Sequence, residues 1–323
     1  MNIDDSPFSK ILKSQIKNKS ILIKKETPPE NGISLTILNN TVKHSKCNGT
    51  GFQLRKKQII QLFQDVIKKY QLKNCYININ LDKIPKDNYF NFYKEKHNDN
   101  QFLLPNPRFN YDNVLITSNE KKYKNYDQVK NKIKTVDISF NEKKDLLYIN
   151  CNASQYKLKL FKKLSHINKK KKIIDAYMCI GDSHKKNIVY TIDPSLNKIK
   201  YFVKKKMAGF EYKYFEEHCQ YKYLLIDPYY ISNDKIRLLL NLNAVTFMKA
   251  SDYENFYSHT LVKNKNYIEF ESYTDLKTIY NTTMKDQELC SFIIHNNKQY
   301  CQDILTYDNI LEYIALLINN IWS

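Results

Sequence analysis

The chain has 323 residues, 42% of them hydrophobic, enough to bury the cores of two ordinary domains and to exclude a disordered chain. Its 52 lysines and arginines outnumber 33 acidic residues, a formal charge of +19 that points toward a polyanion. Arginine, the usual reader of phosphates and bases, occurs only at Arg55, Arg108 and Arg237, so nucleic acid is the disfavoured partner, and codon drift toward Lys, Asn, Ile and Tyr in an AT-rich genome accounts for the charge.

The N-terminus, "MNIDDSPFSK", has no apolar leader, and no apolar run approaches the ~20 residues of a membrane span. The seven cysteines form no Cys-x-x-Cys pair. Free thiols in a reducing compartment are therefore expected, with a cytoplasmic location (host cytoplasm, if the source is a large virus) and no metal site.

Residues 1 to about 50 read as irregular, being polar with Pro28-Pro29 and Gly49-Thr50-Gly51. "LRKKQIIQLFQDVIKKYQL" predicts a helix with Ile59, Ile60, Phe63, Val66 and Ile67 on one face. "CYININL" alternates as a strand does, and 113–118 and 145–150 read as buried strands. A short amphipathic helix is expected over 155–167, and the run Lys169 to Lys172 then marks a domain boundary. Strands are expected at 173–180 and 187–193, followed by a strand, a helix and a strand over 221–248 and a last helix ending near Trp322. Helices alternating with strands in this half predict a parallel sheet covered by helices.

The stretch "YKYLLIDPYYISNDKIRLLLNLNAVTF" concentrates the chemistry. An apolar strand runs into Asp227-Pro228, Ser232 or Asn233 caps a helix, and Lys235 and Arg237 follow on its expected first turn. Basic side chains there oppose the helix dipole by roughly a few tenths of a kcal/mol, unless an anion sits at the helix start. The loop lies at the carboxyl end of its strand, where open α/β sheets bind ligands. Solvated side chains are the alternative.

The segment from His218 to Tyr257 resembles the core of the CAP10-like, or protein O-glucosyltransferase, family (glycosyltransferase family 90). Cys219, Tyr221, Lys222, Tyr223 and Leu224 match without a gap, Glu254 with Phe256-Tyr257 falls on the acidic-aromatic motif, and "YTDLKTIY" and the closing helix match further on. The similarity is good from about Glu216 to the C-terminus. It implies an α/β, GT-B-like fold: two Rossmann-like domains facing across a cleft. The expected division is 1–168 for the acceptor side and 169–323 for the nucleotide sugar, with room for the last helix to pack back on the N-terminal domain.

The resemblance also implies roles. Lys235 stands at the diphosphate-binding arginine and Asn233 at the serine before it, with Arg237 two residues on. Ser232 lies in the same loop; apart from the resemblance, Tyr229 or Tyr230 of that loop is a candidate sugar-stacking ring. Lys157 stands at a second arginine that approaches the donor, Glu254 lies near the ribose, and Glu120 takes the place of the catalytic aspartate. A UDP-sugar is the donor, with glucose or xylose the expected sugar, a glycan or protein hydroxyl is the acceptor, and no cofactor or metal is needed. Two departures stand out: lysine replaces arginine at 235, and Ile149-Asn150-Cys151 replaces an Arg-Gly-Ser element. A relative that binds nucleotide sugar or glycan without turnover, and a basic nucleic-acid-binding protein, are the alternatives.

Overall fold

A computed structural model describes residues 2–17, 32–47, 53–81, 89–91, 94–96, 101–105, 126–152, 160, 163–164, 166–168, 172–179, 215–227 and 233–322. The chain divides into two compact units, one of Met1–Asp112, Asp252–Leu261 and Gln302–Ser323, the other of Asn113–Ser251 and Val262–Cys301. Among the described residues, each carries a five-stranded sheet, the two-unit α/β build expected of a GT-B-like chain.

The first unit begins with helix α1 (Ser9–Lys17) and a hairpin of β1 (Gly32–Leu38) and β2 (Thr41–Cys47). This is ordered structure where an irregular stretch was expected. The hairpin turns on Asn39 and Asn40, both left-handed at φ 48° and 55°. Two successive positive φ angles suit a tight hairpin turn, and asparagine is the side chain that tolerates them best after glycine. Asn40 then anchors the turn, donating to the Ile67 carbonyl at 2.9 Å and accepting from the Leu72 N–H at 3.1 Å, at the end of α2 (Gln53–Lys69). Helix α2 follows the expected pattern: Ile59, Phe63 and Val66 are buried and Ile60 and Ile67 half-buried. Strands β3 (Cys75–Asn80), β4 (Phe90–Asn91) and β6 (Phe102–Leu103) complete a mixed sheet of order β2-β1-β3-β4-β6. A separate ribbon pairs β5 (Lys94–Glu95) with β11 (Tyr253–Glu254).

The second unit opens with helix α3 (Tyr126–Val136) and strands β7 (Lys144–Asn152) and β8 (Ile174–Cys179). The short helix α4 (Phe215–His218) leads to β9 (Tyr221–Ile226), α5 (Asn233–Leu239) and β10 (Val245–Lys249). After β12 (Ile268–Phe270) come α6 (Leu276–Thr283) and α7 (Gln287–Asp303). All five strands are parallel, in the order β12-β10-β9-β7-β8. Counted along the chain, that is the doubly wound order 2-1-3-4-5, whose switch point lies between its first and third strands, here β7 and β9.

This topology moves the domain boundary. The expected division after residue 168 cuts between β7 and β8, which pair from Leu147↔Ile174 to Asn152↔Cys179. The lysine run therefore belongs to a crossover within one sheet, not to a linker. The last helix, α8 (Tyr307–Ile321), belongs to the first unit. Thr306 caps it by accepting from the Asn309 N–H at 3.1 Å, and Leu311, Ile314, Leu317 and Ile318 are buried as the helical period requires. Its Tyr313 hydroxyl accepts from Gln15 at 2.6 Å and donates to the Leu103 carbonyl at 3.1 Å, satisfying a buried phenol from two other elements. Among the described residues, no helix is long and apolar enough to cross a membrane.

Candidate functional site

The carboxyl ends of five parallel strands share one edge of the second unit's sheet, and the switch point there lies between β7 and β9. Strand β7 brings Ile149, Asn150 and Cys151 to this edge, and Ile149 is buried. Strand β9 delivers Asp227, which is 2% exposed. A buried carboxylate needs donors, and Tyr273, three residues past the end of β12, donates its hydroxyl to Asp227 Oδ2 at 2.6 Å. Phe270 lies edge-on to the Tyr273 ring at 5.5 Å, and Lys163 Nζ stands 5.9 Å from the ring centroid. A carboxylate, a phenol and a lysine from the segments that follow three different strands thus meet at one end of the sheet. Asp227 is legible in the sequence as an acid that ends an apolar strand. Tyr273 carries no signal beyond following a strand, because its partner is distant in the chain.

Helix α5 corrects the expected placement of the two basic residues. It is seven residues long, so Lys235 falls in its first turn and Arg237 in its last. Positions two apart lie about 200° around a helix axis and do not share a face. Arg237 is 3% exposed amid buried Ile236, Leu238, Leu239 and Leu240. Its carbonyl accepts from Asn241 Nδ2 at 2.8 Å and lies 3.8 Å from Cys301 Sγ. A cation in the last turn is favoured by the dipole, so the conflict read into the sequence does not arise at Arg237. Asn233 and Lys235 are placed by the helix backbone.

Glu254 also lies elsewhere than expected. Strand β11 pairs it with Lys94 in the first unit, not with the nucleotide-sugar half of the chain. The aromatic residues beside it explain why. Phe256 packs 5.5 Å from Phe8 and 5.6 Å from Tyr313, burying this segment in the first unit's core. Glu254 is 7% exposed, and Nε2 of His259 donates to its Oε2 at 3.0 Å. Two local bonds hold the turn between them: Asn255 N–H to Ser258 Oγ at 2.9 Å and Tyr257 N–H to Asn255 Oδ1 at 3.0 Å.

Glu120, Lys157, Tyr229 and Ser232 lie outside the described residues, as do the strands expected at 113–118 and 187–193. Among the described residues, no group of three or more His, Cys, Asp or Glu side chains is arranged to hold a metal ion. Burial pushes the Cys75 thiol up to about 12 and the Cys290 thiol to about 11, which keeps both protonated at neutral pH.

No curated protein matches the chain. Among solved structures, the C-terminal domain of a glycosyl transferase group 1 family protein (LpcC) from Francisella tularensis is 8% identical, over 58% of this chain and 94% of that one, at TM-score 0.35. WaaG, a glycosyltransferase involved in lipopolysaccharide biosynthesis, is 10% identical over 84% of this chain and 70% of its own, at TM-score 0.40. A glycosyltransferase from Rickettsia africae is 9% identical over 86% and 84%, at TM-score 0.41. These likenesses are weak, and the fold rests on the sheets described above. The family profile of Glycosyl transferase family 90 matches residues 93–321, a span that takes in the whole parallel sheet, the Glu254 segment and α8. With well over half its length matched, the chain belongs to glycosyl transferase family 90, a family of glycosyltransferases.

Proposed function

We propose that the protein transfers a sugar, glucose or xylose, from a UDP-sugar to a hydroxyl of a glycan or protein acceptor, with inversion and without a metal. The observation that carries this reading is the family match over 93–321, reinforced by the strand–loop–helix unit from Tyr221 to Leu239 at the carboxyl edge of the parallel sheet. Lys235 is assigned to the diphosphate, and Asn233, Ser232, Tyr229 and Lys157 are assigned to the donor on the strength of the sequence and the resemblance alone. Arg237 is reassigned to the buried side of α5. Glu254, held in the first unit beside His259, is left out of the donor site.

In the reaction, Glu120 removes the proton from the acceptor hydroxyl as its oxygen attacks the anomeric carbon. The bond from that carbon to the diphosphate oxygen breaks on the opposite face, and UDP departs with its charge held by fixed positive groups. Incubation with UDP-glucose and UDP-xylose should release UDP, and Lys235→Ala should slow the release at least about tenfold at low donor concentration. Release at the full rate from that variant would refute the diphosphate assignment.

A second reading has one observation in its favour. Ile149-Asn150-Cys151 occupies the end of β7, beside the switch point, where the resemblance calls for Arg-Gly-Ser. A chain lacking that arginine can hold a nucleotide sugar without turning it over. Calorimetric binding of UDP, with no UDP released from either sugar in the presence of a glycan acceptor panel, would select this reading.

A further inference from the structure

We propose that Tyr273 is a positioning residue of the donor site, tying the chain that leaves β12 to the carboxyl end of β9. The proposal rests on the donor-site reading above. Strand β10 lies between β12 and β9, so the turn after β12 and the phenol together cross one intervening strand, roughly 10 Å of sheet at the usual spacing, to meet Asp227. Such a reach costs side-chain freedom and is worth making only for a strong partner. At 2.6 Å to a carboxylate 2% exposed, the bond belongs to the strong charge-assisted class.

The Tyr273 ring is held from several directions. Phe270 meets it at 5.5 Å with the planes inclined at 63°, and Lys163 Nζ stands over it at 5.9 Å. The turn that carries it is braced as well, since Ser272 Oγ donates to Asp275 Oδ2 at 2.7 Å just ahead of α6. A ring fixed on this turn fixes the Asp227 carboxylate in its turn. Asp227 is the residue from which the chain departs toward α5, and Lys235 stands in the first turn of that helix. The hydroxyl therefore acts through Asp227 on the geometry with which Lys235 meets a diphosphate. It touches neither the sugar nor the reacting bond.

The experiment is calorimetric titration of the full chain with UDP, paired with thermal melting. Tyr273→Phe should raise the Kd for UDP about tenfold, the usual scale for losing one hydrogen bond to a charged group, while the melting temperature stays within about 2 °C. Unaltered UDP affinity in this variant overturns the proposal, and so does a lowered melting temperature with affinity intact, because the bond then serves stability alone. A wild-type chain that binds no UDP overturns the donor-site reading and the proposal with it, and this result is read before any variant is made. Should Tyr273→Phe fail to fold, Asp227 supplies the second arm. Asp227→Asn keeps an oxygen that accepts from the phenol, so its loss of UDP affinity should be at least about threefold smaller than that of Asp227→Ala. Equal losses in the two variants overturn the tether.

Discussion

At the amino-terminal edge of the parallel sheet, Lys143 and Asp137 are buried together as an ion pair just before β7. The second oxygen of Asp137 accepts the Asn243 N–H at 2.6 Å, the Asn243 amide donates to the Ile138 carbonyl at 3.1 Å, and Lys298 reaches the Asn243 side-chain oxygen. At the opposite, carboxyl-terminal edge, Asp227 meets a half-buried tyrosine, and the lysine above that ring is exposed. One edge closes its charges against each other inside the unit. The other leaves a lysine and a tyrosine within reach of solvent, at the switch point where such sheets take ligands. The same sheet thus separates the polar groups that hold it together from those available to a substrate.

Four measurements break or sharpen this contrast. The largest effect is expected at the closed edge. Burial pulls the Lys143 ammonium below the usual lysine range, and the adjacent Asp137 carboxylate offsets part of that. Removing one partner leaves the other charge buried alone, so Lys143→Ala or Asp137→Ala should cost about 3–5 kcal/mol in urea unfolding. UDP affinity should persist in whatever fraction stays folded. If either substitution abolishes UDP binding without loss of stability, the division of labour between the edges is wrong.

Next comes the open edge. Lys235→Ala should lower UDP affinity by about tenfold to a hundredfold, the scale of one charged hydrogen bond, with little change in melting temperature. Arg237→Ala should do the reverse. Removing a side chain buried in α5 should cost about 2 kcal/mol of stability and leave the UDP affinity of the folded protein close to wild type. Equal losses of affinity in the two variants would restore the shared diphosphate site that the helix geometry separates.

The smallest effect concerns the thiols. Burial raises Cys75 from 9.0 to about 12 and Cys290 from 9.0 to about 11. A folded pKa above the unfolded one means that the stabilising contribution is complete below about pH 9 and fades as pH climbs toward the folded value. Stability in urea should therefore fall between pH 9 and 11. At pH 8, a disulfide reagent should label neither cysteine until the protein unfolds, and rapid labelling of the native chain located at Cys75 or Cys290 by peptide mapping would contradict their burial.

Local period made much of the second unit legible. The strand at Tyr221–Ile226, the helix after it and the strand at Val245–Lys249 follow from apolar runs and a helical stripe. Other elements carry local signals as well. Asn39-Asn40 between alternating segments is a hairpin signal, and Cys290, Ile293, Ile294, Asn297, Tyr300 and Cys301 trace the buried stripe of α7 at helical spacing. The placement of Arg237 turned on where a short helix begins, the kind of boundary that local pattern locates least well.

By itself, then, the sequence determined the α/β class, the strand–loop–helix–strand unit with Lys235 on its helix, and membership of a glycosyltransferase family, because apolar period and a contiguous motif are properties of neighbouring residues. The tertiary structure alone decided that β7 joins β8 and β9 across the expected boundary, that Phe256 carries Glu254 into the first unit, and that Tyr273 meets Asp227 46 residues away. Those outcomes depend on which faces every element must bury at once, and no window along the chain contains both partners.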